Sequence, residues 1–275
     1  MLALDKLKLD GKVAVVTGAG RGLGLAMALA LAEADADLVV AARTRSQIEE
    51  TAETVRARGR RCLPVPTDIT DSRSVQAMVD AAIAEYGRID ILVNNAGAGS
   101  IGRGIPLEEV TDDLWRRSID TNLSGAFYCC RAAIPHMLRQ GGGKIINVTS
   151  ISGLRGVPNS FTYAAAKAGL INFTRALALT YARHNIQCNL IAPGLFPHGE
   201  PAAIEALGGG RYVPMGRVGS DEEMGPLCVF LASELTSYMN GQVIVLDGGG
   251  LAGGHAPTGF APVVPLAADA LEGGA

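Results

Sequence analysis

Residues 13–24 read VAVVTGAGRGLG, and this stretch decides the fold. Its first five residues form an almost unbroken apolar, β-branched run, as expected of a strand covered on both faces. The run breaks into a turn holding Gly18, Gly20, Gly22 and Gly24, and from Leu23 an alanine- and leucine-rich segment reads as a helix. Glycines at a strand-to-helix turn permit a tight bend and close backbone approach to phosphates. The helix N-terminus behind them favours an anion. Such turns need glycine for positive φ whether or not a ligand binds. The strand-turn-helix context is what points to a dinucleotide.

Outward from this turn, short β-branched runs at 13–17, 38–42, 61–66, 89–94, 144–149, 186–191 and 242–247 alternate with helical stretches. The helices are expected near 23–34, 46–58, 72–86, 111–140, 163–183 and 221–232. That alternation predicts an α/β fold: a Rossmann-type, doubly wound parallel sheet of about seven strands in one domain, helices on both faces. Residues 1–250 read as that domain, and 251–275, rich in Gly, Ala and Pro, as a tail.

The 275 residues are 48% hydrophobic and 19% charged, enough apolar content for a substantial core. A net charge of −3 without a basic run gives no case for nucleic acid. No apolar segment reaches the length that spans a membrane, and the first residues lack a signal-type apolar core. Five cysteines without a C-x-x-C and four histidines without ligand spacing suggest neither a disulfide framework nor a metal site. A reducing, cytoplasmic location is expected.

The second strand sharpens the cofactor reading. Folds that select NAD place an acid near the end of this strand, on the ribose 2′-hydroxyl. Here the strand ends Val40-Ala41-Ala42-Arg43, and Arg21 lies inside the glycine turn. Two fork-shaped, always-charged donors suit a 2′-phosphate, hence NADP. Solvated surface arginines would explain both residues but not the missing acid.

Further along, Tyr163 and Lys167 stand four apart in an alanine-rich helical run, which places phenol and ammonium on one face. A lysine charge ~5 Å away, at an effective dielectric of 20, favours the phenolate by 3 kcal/mol, or two pKa units. That would make the phenol a useful acid-base group. Read alone, the pair is better taken as a snorkelling lysine beside a half-buried tyrosine.

With these residues placed, the chain resembles the short-chain dehydrogenase/reductase family, near its 3-oxoacyl-carrier-protein reductase branch. The match runs from about Leu9 to Gly250. It consists of TGAGRGLG at 17–24, Asp68-Ile69-Thr70, NNAG at 94–97, Asn122 in DTNLSG, Ser150, Tyr163-x-x-x-Lys167, Pro193-Gly194 and Asp247-Gly248-Gly249, in the family's order. The resemblance implies an NADPH-dependent reductase of ketones, or dehydrogenase of secondary alcohols. Tyr163 would be the general acid/base, and Lys167 would hold the nicotinamide ribose and lower the tyrosine's pKa. Ser150 would bond the carbonyl oxygen, with Ser152 its rival, and Asn122 would hold a proton-relay water. Gly18, Gly20, Arg21, Gly22, Leu23, Gly24, Arg43, Asp68, Ile69, Asn94, Ala96, Gly97, Pro193 and Gly194 would line the cofactor. Asn122 as a backbone bridge and Asp68 as a helix cap are the plain alternatives.

The family usually carries Thr or Ser four positions beyond Gly194, on the nicotinamide carboxamide. Here that position is His198. Residues 195–216 would form a substrate flap, with Gly208–Gly210 as hinge. Ile151, Leu154, Val157, Phe161, Leu195, Phe196 and Tyr212 are candidates for an apolar pocket. That favours an apolar ketone or β-ketoacyl thioester over a free sugar acid, with a sugar or polyol dehydrogenase of the same fold as the alternative. No arginine cluster is clearly aimed at a carboxylate or phosphate, though Arg103 and Arg155 are candidates. The resemblance also implies a homotetramer or homodimer, paired through helices 111–140 and 163–183. A non-catalytic, cofactor-sensing scaffold is the reading from another class.

Overall fold

Alternate residues of strand β1 (Val13–Thr17) feed two different cores, so every one of its residues is buried. Ala14 and Val16 join Met27, Leu31, Ile48, Met224 and Cys228 on one side. Val13 and Val15 join Val75, Met78, Cys129 and Ala133 on the other. This is the period of two in a sheet covered on both faces, and each fully buried valine or leucine contributes roughly 1.5–3 kcal/mol.

The structure, a computed structural model, describes residues 3–99, 101–197 and 213–253. Strands β2 (Asp37–Ala42), β3 (Cys62–Pro66), β4 (Ile91–Asn94), β5 (Gly143–Val148), β6 (Ile186–Pro193) and β7 (Val243–Leu246) complete the sheet. The order is β3-β2-β1-β4-β5-β6-β7, all parallel, in one domain. All seven strands stand where the sequence places them, with ends shifted by at most two residues.

Helices α1 (Gly22–Glu33), α2 (Arg45–Ala57) and α7 (Met224–Ala232) supply the first core. Helix α1 is apolar nearly all round because it lies between the sheet and α7. Contact is close: a Cβ added at Gly225 would stand 2.7 Å from the Ala30 Cβ. Helices α3 (Ser72–Tyr86), α5 (Gly125–Gln140) and α6 (Phe161–Tyr181) supply the second. Asp71 caps α3 by accepting from the Arg73 N–H at 2.9 Å, and Gly87 ends it at φ 73°.

The expected long helix over 111–140 is not continuous. Thr111 caps α4 (Asp112–Ile119), a π-helical turn follows at Asp120–Ser124, and α5 starts at Gly125. Asn122 lies in that π turn, and its side-chain contacts explain the break, as described below. The last helix likewise opens with a 3₁₀ turn, Asp221–Glu223, under a capping box between Ser220 and Glu223. Among the described residues no helix is long and apolar enough to cross a membrane. The expected tail beyond Gly253, and 198–212 of the expected flap with its Gly208–Gly210 hinge, lie outside the described residues.

Candidate active site

The chain winds from β1 out to β3, then returns to β4 on the other side of β1. The carboxyl ends of β1 and β4 therefore diverge at a switch point, where open α/β sheets bind ligands. Thr17 ties the two ends together. Its buried hydroxyl donates to Val93 O at 3.3 Å and accepts from the Asn95 and Ala96 N–H groups at 3.1 and 3.2 Å. From the β4 side, the Asn95 amide donates to Thr17 O at 3.1 Å.

Gly18 and Gly22 take φ of 68° and 58°, and Gly24 packs so closely that a Cβ would meet Gly18 O at 2.2 Å. A side chain at Gly20 would run into Gln47, 2.8 Å from its Cβ. The N-cap position of α1 is Arg21, whose side chain makes no capping bond, so the first N–H groups of the helix face outward from a bare backbone cradle. Leu23, the next residue of that turn, packs against the first core. A bare cradle on a helix N-terminus fits a pyrophosphate.

Arg21 and Arg43 are exposed and form no ion pair among the described residues. Asp68, at the end of β3, accepts from both the N–H and the hydroxyl of Thr70, at 2.9 and 2.7 Å. Those bonds, and less so the nearby Arg43 charge, hold its carboxyl below the usual range. The capping role falls to Asp71 instead. Ile69 follows and packs under α5, its Cδ1 2.6 Å from where a Gly125 Cβ would stand.

Ser150 follows β5 in extended backbone and Tyr163 sits in the first turn of α6. The Ser150 hydroxyl lies near enough to the phenol to act on its acidity, and it accepts from the Ser152 N–H at 3.1 Å. Of the two serines it is Ser150, 8% exposed, that meets the tyrosine. The two halves are locked: Thr149 donates to Lys167 O at 2.9 Å, and a Cβ on Gly153 would stand 2.8 Å from the Lys167 carbonyl carbon. Lys167, 4% exposed, donates to Val148 O at 2.9 Å, with its Nζ 5.7 Å from the centre of the Tyr163 ring.

One electrostatic expectation is corrected. Burial pushes the Tyr163 phenol above its ordinary value, opposed by the Ser150 bond and then by the Arg103 charge. Lys167 is not among the groups that oppose this rise, and burial lowers the lysine itself to about 8.

Asn122 grips the loop after β4 with both ends of its amide. The Oδ1 accepts from Ala98 N–H at 2.9 Å, while Nδ2 donates to Ala98 O and Ser118 O, each at 3.1 Å. The bridging alternative is thus realised, and the π turn is what lets the side chain reach. Gly97 is wedged beside it: a Cβ there would stand 2.9 Å from Asn122 Oδ1 and 3.4 Å from Lys167 Nζ. The loop therefore brings Ala96 and Gly97 to the Lys167 side of the cleft.

Asn94 faces elsewhere. Its buried amide donates to Asn147 Oδ1 at 2.8 Å and to Cys130 Sγ at 3.3 Å, toward the α5 core. Its neighbour Asn95, not singled out from the sequence, holds the glycine turn. Thr17, Thr149 and Gly153 were also missed as supports. The last is signalled only by a glycine directly before an apolar turn.

Pro193 ends β6, and at Gly194 a Cβ would collide with Asp247 at 2.7 Å. Leu195 and Phe196 line a cavity of about 60 Å³ with Val213, Met215 and Leu246, separate from Ser150 and Tyr163. Leu154 and Phe161, 40% and 36% exposed, flank the tyrosine by position. His198 and Tyr212 lie outside the described residues.

This arrangement is a known one. The sequence profile of the short chain dehydrogenase family matches residues 12–199, and the chain belongs to that family. It is 42% identical over 242 residues to cis-4-hydroxycyclohexanecarboxylate dehydrogenase of Sinomonas cyclohexanicum, covering 86% of this chain and 96% of that one. It is 35% identical over 249 residues to the 3-oxoacyl-(acyl-carrier-protein) reductase FabG of Thermotoga maritima, covering 88% and 99%. Among solved structures, a gluconate 5-dehydrogenase from Burkholderia cenocepacia J2315, in complex with NADP and tartrate, superimposes with a TM-score of 0.82. It is 36% identical, and the match covers 90% of this chain and 98% of that one. The chain is an oxidoreductase of this family that takes a nicotinamide cofactor.

Proposed function

We propose that the protein interconverts a ketone and a secondary alcohol using NADP(H), with Tyr163 as general acid/base. The observation that carries this reading is the Ser150–Tyr163 hydroxyl pair, backed by buried Lys167, beside the Gly97 wedge at the carboxyl edge of the sheet. The nicotinamide, when bound, supplies or accepts the hydride. Tyr163, kept protonated at neutral pH by burial, gives its proton to the carbonyl oxygen in the reductive direction. Ser150 donates to that same oxygen and stabilises the charge that develops on it. Lys167, with a pKa near 8, is poised to pass a proton on, and Asn122 holds the backbone through which its path to solvent runs.

The glycine turn from Gly18 to Gly24 would take the pyrophosphate, Arg21 and Arg43 the 2′-phosphate, Asp68 and Ile69 the adenine. Ala96, Gly97, Tyr163 and Lys167 would take the nicotinamide ribose, and Pro193, Gly194 and His198 the carboxamide end. Exposed Leu154 and Phe161 support an apolar ketone or β-ketoacyl thioester. A sugar or polyol dehydrogenase is the second reading, favoured by the likeness to the gluconate 5-dehydrogenase. We also infer self-association into a homotetramer or homodimer, and a cytoplasmic location consistent with five free, buried cysteines.

Tyr163→Phe removes only the phenol oxygen. Turnover, followed by NADPH absorbance with a ketone panel, should fall by about 10²–10⁴-fold, as expected on losing a general acid, while NADPH still binds. Near-normal turnover would sink the mechanism.

A further inference from the structure

Two guanidinium groups without acceptors among the described residues stand on the loops that bracket Ser150 and Tyr163. Arg103 lies on the loop after β4, and that loop is fastened to the start of α6. Thr162 donates to Ile101 O at 2.8 Å, and the Gly104 N–H donates to Asn159 O at 2.7 Å. Gly102 turns the chain at φ 69°, with no room for a Cβ against Thr162 Oγ1 at 2.9 Å. Upstream, a Cβ on Gly99 would stand 3.9 Å from the Tyr163 Cζ. Arg103 is thus held beside the phenol by backbone geometry, exposed, and paired with no acid among the described residues. The nearest acids along the chain, Glu108 and Glu109, make no ion pair with it.

Arg155 ends the 3₁₀ turn that begins after Ser150, its N–H bonded to Ile151 O at 3.2 Å. Its Nε is buried and has no hydrogen-bond partner among the described residues. A buried donor left unpaired is costly to a fold and free to meet an acceptor on a ligand. Leu154, the residue before Arg155, and Phe161, two before Tyr163, are both exposed.

Resting on the proposed reaction, we infer that the substrate is a ketone or secondary alcohol with an apolar body and a carboxylate, and that Arg103 is the specificity residue that binds that carboxylate, with Arg155 in support. A planar guanidinium takes a carboxylate by two parallel bonds, which fixes orientation as well as affinity. With the carboxylate on Arg103 and the carbonyl oxygen between Ser150 and Tyr163, the substrate is held at both ends. The apolar span between them is in contact with Leu154 and Phe161. This narrows the apolar-ketone reading: the body is apolar, but one end is anionic.

The test uses matched acid and methyl-ester ketones, one ring pair (4-oxocyclohexanecarboxylate) and one chain pair (5-oxohexanoate), with NADPH. The acid-to-ester ratio of kcat/KM is measured in wild type, Arg103→Gln, Arg103→Lys and Arg155→Gln, with a thermal melt confirming each fold. The wild-type ratio should exceed ten. Arg103→Gln should lower it by about 10–100-fold, mainly through KM, as for a lost charge-assisted bond. Arg103→Lys should restore part of it, and Arg155→Gln should lower it less. A wild-type ratio near one, or a ratio unmoved by Arg103→Gln, overturns the inference and leaves the reductase reading standing. Wild type that binds NADPH yet reduces no acid, no ester and no other ketone overturns both.

Discussion

Lys167 is 4% exposed and has one carbonyl, Val148 O, as its recorded acceptor. Desolvation disfavours its charge, so its pKa falls from 10.5 to about 8 on folding. The sign of the linkage follows. Below pH 8 both folded and unfolded chains carry the proton, and folding bears the full cost of burying it. Between 8 and 10.5 the unfolded chain still binds the proton while the folded one does not, so stability rises with pH across that window. The difference corresponds to about 3 kcal/mol. Urea unfolding of wild type and Lys167→Met at pH 7 and pH 10 isolates it, because buried cysteines and other groups titrate alike in both. Wild type should gain about 2–3 kcal/mol on the variant between those pH values. A constant gap would mean that the lysine keeps its ordinary pKa. The spacing of Tyr163 and Lys167 was legible in the sequence, and their mutual face with it. Burial was not, and burial reverses the direction in which the phenol moves.

At the scale of elements, alternation located every strand, and it also held a clue that went unread. Leu92 faces the α3–α5 core, so Asn94, two residues on, must face the same way, and it does, against Cys130. Period-two reasoning would have assigned the turn-holding role to Asn95. The break between α4 and α5 is of another kind. A π turn preserves helical composition, so no pattern in DTNLSG marks it. Only the two-ended grip of Asn122 on Ala98, a contact 24 residues away in sequence, explains it. The outer faces of α4, α5 and α6 carry Trp115, Phe127 and Leu179, 44%, 38% and 84% exposed. Phe127 meets Phe173 edge-on at 6.2 Å, with the Arg131 guanidinium 4.9 Å above its ring. Apolar side chains on neighbouring helices leave a surface that self-association would cover. Light scattering should give four times the mass of one chain, or twice, and Leu179→Glu should lower it. A wild-type monomer at micromolar concentration would reject the assembly.

At the scale of the whole molecule, the reversal of strand order divides the carboxyl edge into two halves. The ends of β1, β2 and β3 carry Arg21, Arg43 and Asp68, while those of β4 and β5 lead to Gly97, Ser150 and the α6 pair. On the proposed reading, selection between cofactors falls to the first half and chemistry to the second, so the two should be separable by mutation. After β2 there is no carboxylate to accept from a ribose 2′-hydroxyl, only Ala42 and exposed Arg43. Asp68 feels the Arg43 charge, but its Oδ1 is committed to Thr70 and it forms no ion pair with the arginine. An exposed, unpaired guanidinium beside a 2′-phosphate should be worth about 1.5–3 kcal/mol, a factor of roughly 10–100. Fluorescence titration should therefore show NADPH binding at least tenfold tighter than NADH in wild type. Arg43→Ala should erase most of that ratio, and Arg21→Ala a smaller part, while kcat at saturating NADPH changes far less than the dissociation constant. Because both arginines are exposed, the preference should also shrink as salt is raised from 50 to 500 mM, where the screening length falls to about half the physiological value or less. A wild-type preference for NADH would overturn the assignment and would require another residue to accept from the 2′-hydroxyl. Asp68, whose carboxyl feels the Arg43 charge, is then the group to replace first.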